Sequence, residues 1–157
     1  MMLSEKTEVC EMTIRKMTAG DYDKVYALWM SCKNMGFNDV DDSRAGVEKF
    51  LRRNPNTCLV AEENGEIIGV VLGGQDGRRG YIYHLSVHEA HRRQGVGRQL
   101  VDRCLAAMKE EGIAKAALLV FKRNEAGNAF WESQGFIARE DVAYRNRELT
   151  KLIRIDT

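Results

Sequence analysis

The sequence predicts an α/β domain in which helices cover both faces of a mixed central β-sheet of about six to seven strands. Strand-like and helix-like segments alternate along all 157 residues without a linker or repeat. Asn64-Gly65 lies between two apolar runs, which is the strongest short signal for a hairpin. Residues 115–121 are almost wholly apolar, as is typical of a strand covered on both faces. We predict that residues 1–157 form a single domain.

The first half of the chain predicts one strand, two helices and a hairpin. Residues 11–17 alternate as a strand, and a helix follows at 19–32, with apolar side chains at helical spacing in Tyr22, Val25, Leu28 and Trp29. After a polar loop at 33–43, Ser43 is a suitable N-cap for a second helix that ends near Pro55. Residues 56–75 then form the hairpin.

The second half predicts a strand, a helix, a strand, a helix and closing strands. Residues 80–87 are aromatic and β-branched, and residues 96–112 carry an apolar stripe that ends at Gly112. The apolar run 115–121 and a short helix at 124–135 come next. Residues 136–155 predict two strands around a turn at 145–147.

Composition excludes several classes of protein. The formal net charge of +1 gives no global field that would attract nucleic acid, and no apolar run is long enough to cross a membrane. Four scattered cysteines, Cys10, Cys32, Cys58 and Cys104, have no metal-binding spacing. Residues 1–12 show no export signal. We therefore expect a cytoplasmic protein with reduced thiols and no metal, nucleic-acid or membrane partner.

The stretch RRQGVG, residues 92–97, lies between a strand and a helix and indicates an anion site. The first turn of a helix leaves backbone N–H groups unpaired, and its dipole favours negative charge. Glycines allow close approach to the main chain, and arginines donate to phosphate oxygens. The alternative is a surface loop with solvated arginines. A Walker A lysine is absent, and Leu100 replaces the third glycine of a dinucleotide fingerprint.

RRQGVG resembles the Arg/Gln-x-x-Gly-x-Gly/Ala signature of the GNAT N-acetyltransferase superfamily. Residues 124–136, NEAGNAFWESQGF, resemble a second block of that superfamily at the right distance downstream. The resemblance covers nearly the whole chain. It implies a GNAT-like fold with a splayed strand pair, and an acyltransferase that moves the acetyl group of acetyl-CoA directly to an amine of a small molecule or peptide. Homodimers are common in the family, so a homodimer is possible.

The resemblance also implies where acetyl-CoA binds. The splayed strand would hold the pantetheine arm through Leu85, Ser86 and Val87, and a backbone N–H near Leu85 would stabilise the oxyanion. Asn124 would contact the same arm or hold the splayed strands. The pyrophosphate would lie on the loop formed by Arg92, Arg93, Gln94, Gly95, Val96, Gly97 and Arg98.

The residues that usually handle protons in the family are absent. Trp131 stands where the family has an acidic tyrosine, and Tyr81 and Leu119 occupy two positions that hold a glutamate in some members. We expect Trp131 to pack against the CoA arm. Tyr81 and Tyr83 are candidate catalytic residues, with ordinary packing as the alternative. Strand alternation predicts that His84 points to the opposite face from them.

Three functions stay open at this stage. The first is an active N-acetyltransferase. The second, suggested by the missing tyrosine and glutamates, is a non-catalytic acyl-CoA-binding sensor. The third is an interaction domain whose glycine loop is only structural. The acidic loop with Asp39, Asp41 and Asp42 favours a cationic acceptor, unless it is a solvated loop that caps the second helix.

Overall fold

A computed structural model describes residues 11–157, which form seven strands and four α-helices. The strands are β1 Thr13–Lys16, β2 Gly36–Asn38, β3 Leu59–Glu63, β4 Glu66–Gln75, β5 Gly80–Val87, β6 Ala116–Leu118 and β7 Arg154–Asp156. The α-helices are α1 Tyr22–Ser31, α2 Arg44–Arg53, α3 Val96–Glu110 and α4 Glu125–Ser133. Short 3₁₀ turns precede α1 and follow β5, at Ala19–Asp21 and Glu89–His91. Residues 1–10 lie outside the described residues. They include Cys10 and most of the segment 1–12, for which no export signal was predicted.

Five strands form the central sheet in the order β1-β3-β4-β5-β6. All neighbours are antiparallel except β5 and β6, which are parallel. β2 and β7 form a separate antiparallel pair, in which Phe37 lies opposite Ile155. The prediction of a mixed α/β fold is confirmed, although its seven strands divide between two sheets.

Each face of the central sheet has its own core. On one face, α1 and α2 bury Val25, Trp29 and Val47 against the sheet. On the other, α3 buries Leu100 and Cys104. Alternation along β3 and β4 supplies apolar side chains to both faces, which is why these strands are apolar throughout.

Glycines in the sheet let α3 pack closely. A Cβ on Gly69 would lie 2.9 Å from the Leu100 side chain, and one on Gly73 would lie 2.5 Å from the Cys104 sulfur. Both contacts are too short for a real side chain. The sheet therefore fixes the position of α3, and with it the loop that precedes this helix.

Local sequence signals place most element ends correctly. Ser43 caps α2, because its Oγ accepts a hydrogen bond from the Gly46 N–H at 3.1 Å. Asn64 and Gly65 form the hairpin turn with φ angles of +52° and +74°. Gly112 follows α3 with φ +82°. Each position uses a residue that suits the backbone found there.

Two strand predictions were wrong. Residues 115–121 do not form a strand covered on both faces: only Ala116–Leu118 is a strand, it lies at the sheet edge, and Leu119 is 66% exposed. The loop at 33–43 contains β2, which was not predicted. Its partner β7 lies more than a hundred residues away, so no local pattern reveals the pairing.

The two closing strands predicted at 136–155 were also largely wrong. Of that segment, only the residues of β7 are in a strand, and residues 137–153 have no regular secondary structure. Large side chains are exposed along it, namely Ile137, Val142, Tyr144, Leu149 and Ile153. The apolar pattern that predicted strands is present, but these side chains do not pack into either core.

The cysteines within the described residues are free, and all three are buried. Burial raises the pKa of both Cys58 and Cys104 to about 12, so these thiols stay protonated at neutral pH. No helix in residues 11–157 is long and apolar enough to cross a membrane.

An ion pair at the start of α1 predicts a pH dependence of stability. Both terminal nitrogens of Arg15 donate to Asp21 at 2.8 Å, and this hydrogen bonding lowers the pKa of the buried Asp21 carboxyl. A carboxyl with a lowered folded-state pKa stabilises the fold above its unfolded pKa, and the stabilisation is lost as the pH falls through the folded pKa.

We therefore expect Asp21→Asn to lower the free energy of unfolding at pH 7 by about 1–2 kcal/mol, since Arg15 is partly solvated. Urea unfolding at pH 7 and at successively lower pH values measures the difference. The gap between wild type and variant should narrow as the pH falls below the usual aspartate range. A gap that stays constant down to the lowest pH would contradict an ionic origin.

Candidate active site

A β-bulge in β5 lies at the centre of the candidate site. Val70 pairs with Ser86 and Leu72 pairs with Tyr83, so two residues of β5, His84 and Leu85, face the single residue Val71. His84 has a φ of +53°, in the left-handed region. Such a bulge adds twist and redirects side chains, and histidine tolerates this backbone better than most residues.

The bulge overturns the prediction that His84 points away from Tyr83. The His84 ring lies 5.0 Å from the Trp29 ring and 4.6 Å from the Phe37 ring, centroid to centroid. Tyr83 packs edge-on against Phe50 of α2 at 5.8 Å. Both side chains therefore lie on the face that α1 and α2 cover, because the extra residue breaks the alternation.

β5 and β6 separate beyond the middle of β5. They pair only from Gly80–Ala116 to Ile82–Leu118, and β6 then ends while β5 continues to Val87. Among the described residues, no strand pairs with the far side of β5 after Ile82. The backbone of Leu85, Ser86 and Val87 lies along this open edge, which can accept an extended amide-containing chain.

The predicted anion loop lies directly after the open edge. Arg93 and Gly95 have φ angles of +62° and +79°, and Gly95 precedes the first residue of α3. Gln99 N–H bonds to the Gly95 carbonyl, so the amides of Val96, Gly97 and Arg98 belong to the first turn and have no acceptor within the helix. Left-handed residues beside such amides form a concave anion site.

Side chains hold this loop against neighbouring elements. Arg92 Nε donates to the Val87 carbonyl at 3.3 Å, which ties the loop to β5. A Cβ on Gly97 would lie 3.5 Å from both Phe130 and Val87, so α3, α4 and β5 meet there. Arg93, Gln94 and Arg98 are exposed and border the concave site. These elements bring the predicted loop and strand residues together.

Asn124 has a local role in the structure. Its side chain caps α4 by accepting a hydrogen bond from the Gly127 N–H at 2.9 Å. This contact orients the helix that carries Phe130 and Trp131. The structure does not place the Asn124 amide group on the open edge of β5, so its predicted contact with the CoA arm stays a prediction.

Trp131 is part of an aromatic group on α4. Its ring lies 5.1 Å from the ring of Phe130 and 5.1 Å from that of Phe136, both nearly edge-on. It is partly buried and packs against the core beneath α3. Trp131 therefore packs against protein side chains, and its predicted contact with the CoA arm stays a prediction. An indole cannot titrate as an acid at neutral pH.

Tyr81 and Tyr83 line a shallow pocket of about 260 Å³ together with Phe50, Gly74 and Asp76. Both tyrosines are about two-fifths exposed, at 40% and 43%. Burial is the main cause that raises the pKa of the Tyr83 phenol, and Tyr81, Tyr144 and Asp41 add to it. Tyr83 is therefore a protonated donor at neutral pH.

The acidic loop does not act as three solvated charges. Asp42 is buried, and its two carboxylate oxygens contact His84 Nε2 at 2.7 Å and the Asn38 N–H at 2.8 Å. Asp39 accepts from the Ile153 N–H at 2.7 Å. Asp41 is exposed and accepts from the Asn38 side chain. The cap of α2 is Ser43, so neither Asp41 nor Asp42 fills that role.

The Asp42–His84 contact was not predicted from sequence. The two residues are 42 positions apart, and the contact needs the unpredicted bulge to turn the ring. In sequence, Asp42 resembles an ordinary residue before a helix. A histidine in an otherwise apolar strand was the only local signal.

Comparisons with known proteins agree with this geometry. Residues 22–136 match the acetyltransferase (GNAT) family. An acetyltransferase of Pectobacterium atrosepticum is 36% identical over 121 residues, which cover 77% of this chain and 84% of that protein. One of Sodalis glossinidius is 30% identical over 138 residues, covering 88% and 96%. The chain belongs to the GNAT acetyltransferase family, and it is an acyltransferase by its relatives.

Solved structures share the fold. Ard1 from Thermoplasma volcanium superposes with a TM-score of 0.72 at 24% identity, covering 80% of this chain and 82% of that one. PaiA N-acetyltransferase from Thermoplasma acidophilum, solved with coenzyme A, gives 0.71 at 16% identity, covering 84% and 93%. The aminoglycoside acetyltransferase AAC(6')-Iy, solved with a bisubstrate analogue, gives 0.70 at 18% identity, covering 88% and 99%.

The backbone of Gly95 predicts that this residue is essential for the anion loop. Its φ of +79° disfavours any β-branched side chain, so we expect Gly95→Val to rearrange the loop and abolish CoA binding. Gly95 is exposed, so the fold should survive. Calorimetric titration with CoA and a circular dichroism spectrum check both statements.

Gly112→Val is the matched control, because Gly112 has φ +82° at the opposite end of α3. We expect this variant to lose a similar amount of stability and to bind CoA normally. A folded Gly95→Val protein with wild-type CoA affinity would show that the loop does not hold the pyrophosphate.

The packing of Trp131 predicts graded effects of substitution. Trp131→Ala removes a partly buried aromatic group and should destabilise the fold by roughly 2–4 kcal/mol and weaken CoA binding. Trp131→Phe keeps the ring and should retain both stability and turnover. Thermal unfolding, CoA titration and thiol release separate these effects. A Trp131→Phe variant that binds CoA fully and is inactive would show that the indole N–H takes part in the reaction.

Proposed function

We propose that this protein transfers the acetyl group of acetyl-CoA directly to an amine of a small molecule or peptide. The observation that carries the proposal is the continuity of two features. The open edge of β5 after Ile82 leads directly into the concave loop at the start of α3. An extended amide-containing arm that ends in a pyrophosphate matches this order of backbone groups.

The donor would bind mainly through the main chain. Leu85, Ser86 and Val87 would pair with the pantetheine amides, and the amides of residues 92–98 would hold the pyrophosphate. The exposed guanidinium groups of Arg93 and Arg98 would add charge. Ser86 is buried and donates to the His84 carbonyl at 3.1 Å, which supports the bulged backbone at the acetyl end.

The acceptor would enter from the side of α1 and α2. Tyr81 and Tyr83 line the open pocket on that face. Tyr83 stays protonated, so it would donate a hydrogen bond to the acceptor or the departing sulfur. A thiolate is a tolerable leaving group, because an ordinary thiol has a pKa of about 8.5. Loss of the usual tyrosine therefore does not prevent transfer.

Two measurements test this proposal. Acetyl-CoA should raise the thermal unfolding midpoint. Release of free CoA thiol above the hydrolysis rate should require an amine, tested with polyamines, amino sugars, lysine and peptide N-termini. Cys58 and Cys104 should not react with the reagent that detects free CoA thiol, because their high pKa keeps these thiols protonated. No stabilisation by acetyl-CoA would contradict the proposed donor site.

A sensor that binds acyl-CoA without turnover is the second candidate. Trp131 in place of the acidic tyrosine favours it. Stabilisation by acetyl-CoA without thiol release for any amine would establish the sensor and exclude the enzyme. The free, buried cysteines support a reducing, cytoplasmic setting for either function.

The charge of Asp41 predicts a salt dependence of the acceptor. Asp39 and Asp41 are both exposed, and Asp41 is the carboxylate of this loop that adds to the raised pKa of Tyr83, so it should attract a cationic amine. The acceptor KM should rise with salt, since the Debye length falls from about 10 Å at 0.1 M to about 3 Å at 1 M. Asp41→Asn should raise this KM and leave that of acetyl-CoA unchanged.

Asp23→Asn is the matched control, because Asp23 is an exposed carboxylate on α1 that pairs with Arg44. It should leave both KM values unchanged. An acceptor KM that ignores salt and the loss of the Asp41 charge would leave the loop with a structural role only.

A further inference from the structure

We propose that His84 is the catalytic base of the transfer and that Asp42 is its positioning residue. The inference rests on the proposed function and deepens it. Neither residue stands at a position where the family's usual tyrosine or glutamates would be. The pair supplies proton handling in a site that lacks all three of them.

The β5 bulge puts the His84 imidazole at the right place. The bulge lies where β5 has left β6, next to the Leu85 N–H that would bind the thioester oxygen. The positive φ of His84 turns its ring toward α1 and α2, which is the side from which the acceptor enters. The ring and the proposed oxyanion donor therefore belong to adjacent residues of the bulge.

Asp42 fixes both the orientation and the tautomer of the ring. Its Oδ1 lies 2.7 Å from His84 Nε2, and its Oδ2 already accepts the Asn38 N–H at 2.8 Å. Tyr22 donates to the Asp42 carbonyl at 2.7 Å, so the main chain is held as well. A carboxylate only accepts, so neutral His84 carries its proton on Nε2. Its Nδ1 then has a free lone pair, which is the arrangement of a base held by a third group.

His84 Nδ1 is not fully buried. It makes no hydrogen bond to any group in residues 11–157. Unlike Trp29 Nε1 and His91 Nδ1, which also lack a partner there, it is not completely shielded from solvent. The His84 side chain is 16% exposed, whereas that of Asp42 is 7% exposed. The ring therefore keeps some contact with solvent, whereas the carboxylate that holds it is almost wholly buried.

His84 carries the basic side chain of the two-residue bulge, and its neighbours differ in what they can do with a proton. Trp29 from α1 and Phe37 from β2 contact it and do not ionise near neutral pH. Asp42 and Tyr83 are the titratable groups that face it. Tyr83 is protonated at neutral pH because burial raises its pKa, so it cannot accept the proton.

The step balances without another reactant. The neutral amine nitrogen forms a bond to the acetyl carbon, and one of its protons passes to His84 Nδ1. The C–S bond then breaks, and the electron pair leaves with sulfur. The imidazolium, stabilised by Asp42, returns the proton to the CoA thiolate. The products are an amide and CoA thiol, and the histidine is neutral again.

His84→Asn is the most informative substitution. Asparagine adopts the left-handed backbone readily, so it should keep the bulge while it removes the imidazole. We expect kcat to fall by about 10²-fold or more, with the acetyl-CoA KM and affinity unchanged. The dependence of kcat/KM on pH should differ from that of the wild type, because the proposed base is missing.

His88→Asn is the matched control. His88 is exposed and caps the turn at Glu89–His91 by accepting the Ala90 N–H, a role that asparagine also fills. It should keep both kcat and the wild-type pH profile. Because the same amine is used with every variant, titration of the amine contributes equally to all profiles.

Asp42→Asn tests the positioning role. An amide that accepts from the Asn38 N–H through its oxygen presents its NH2 group to His84 Nε2, which favours the tautomer with the proton on Nδ1 and removes the free lone pair there. We expect kcat to fall and acetyl-CoA affinity to stay unchanged. Full activity in this variant would overturn the role of Asp42.

Nitrogen-15 NMR of the histidine rings gives a readout that does not need turnover. Neutral His84 should carry its proton on Nε2, and Nδ1 should take up the second proton. A neutral ring protonated on Nδ1 would overturn the assignment of Nδ1 as the proton acceptor. This result can be obtained even if His84→Asn fails to fold. If His84→Asn keeps the wild-type kcat and pH profile, His84 is not the base, although the proposed acetyl transfer still stands. Failure of the wild type to release thiol with any amine would overturn the transfer itself.

Discussion

The β-bulge at His84 and Leu85 is the constraint on which the candidate site depends. It inserts one extra residue opposite Val71 at the level where β5 has already parted from β6. Without it, strand alternation would point His84 toward α3. Ile82, Leu85 and Val87, which now all lie on the α3 face, would then no longer share that face. One backbone irregularity therefore brings the proposed oxyanion donor and the imidazole together beside the open strand edge that the end of β6 leaves. The strain at His84 is modest, because histidine is among the residues that tolerate positive φ.

The rest of the fold holds this bulge in position from both faces. On one face, glycines in β4 let α3 pack close to the sheet, which places the anion loop at the end of β5. On the other face, Trp29 and Phe37 close around the His84 ring, and Asp42 holds its far nitrogen. The β2–β7 pair fixes Phe37 and thereby the loop that carries Asp42. The proposed donor site and the proposed acceptor side are built by different layers that meet at one strand.

Local chemistry explains which parts of this arrangement the sequence predicted. Ser43, Asn64, Gly65 and Gly112 act within a few residues of themselves, so their elements were placed correctly. The RRQGVG loop was predicted for the same reason, since a strand, two glycines and a helix are contiguous. The edge position of β6 and the pairing of β2 with β7 depend on distant partners, and they were missed. The Asp42–His84 pair needed a bulge, which leaves no periodic signal because it breaks the period of the strand.

An NMR titration with desulfo-CoA, which lacks the reacting sulfur, tests the central claim most directly. The account predicts saturable shifts of the backbone amides of Leu85, Val87 and Val96–Arg98, together with a change at the His84 ring. Amides at the far end of α3, around Gly112, should not respond. Saturable shifts confined to other parts of the chain, with residues 85–98 unchanged, would contradict a donor site built on the bulge and the loop that follows it.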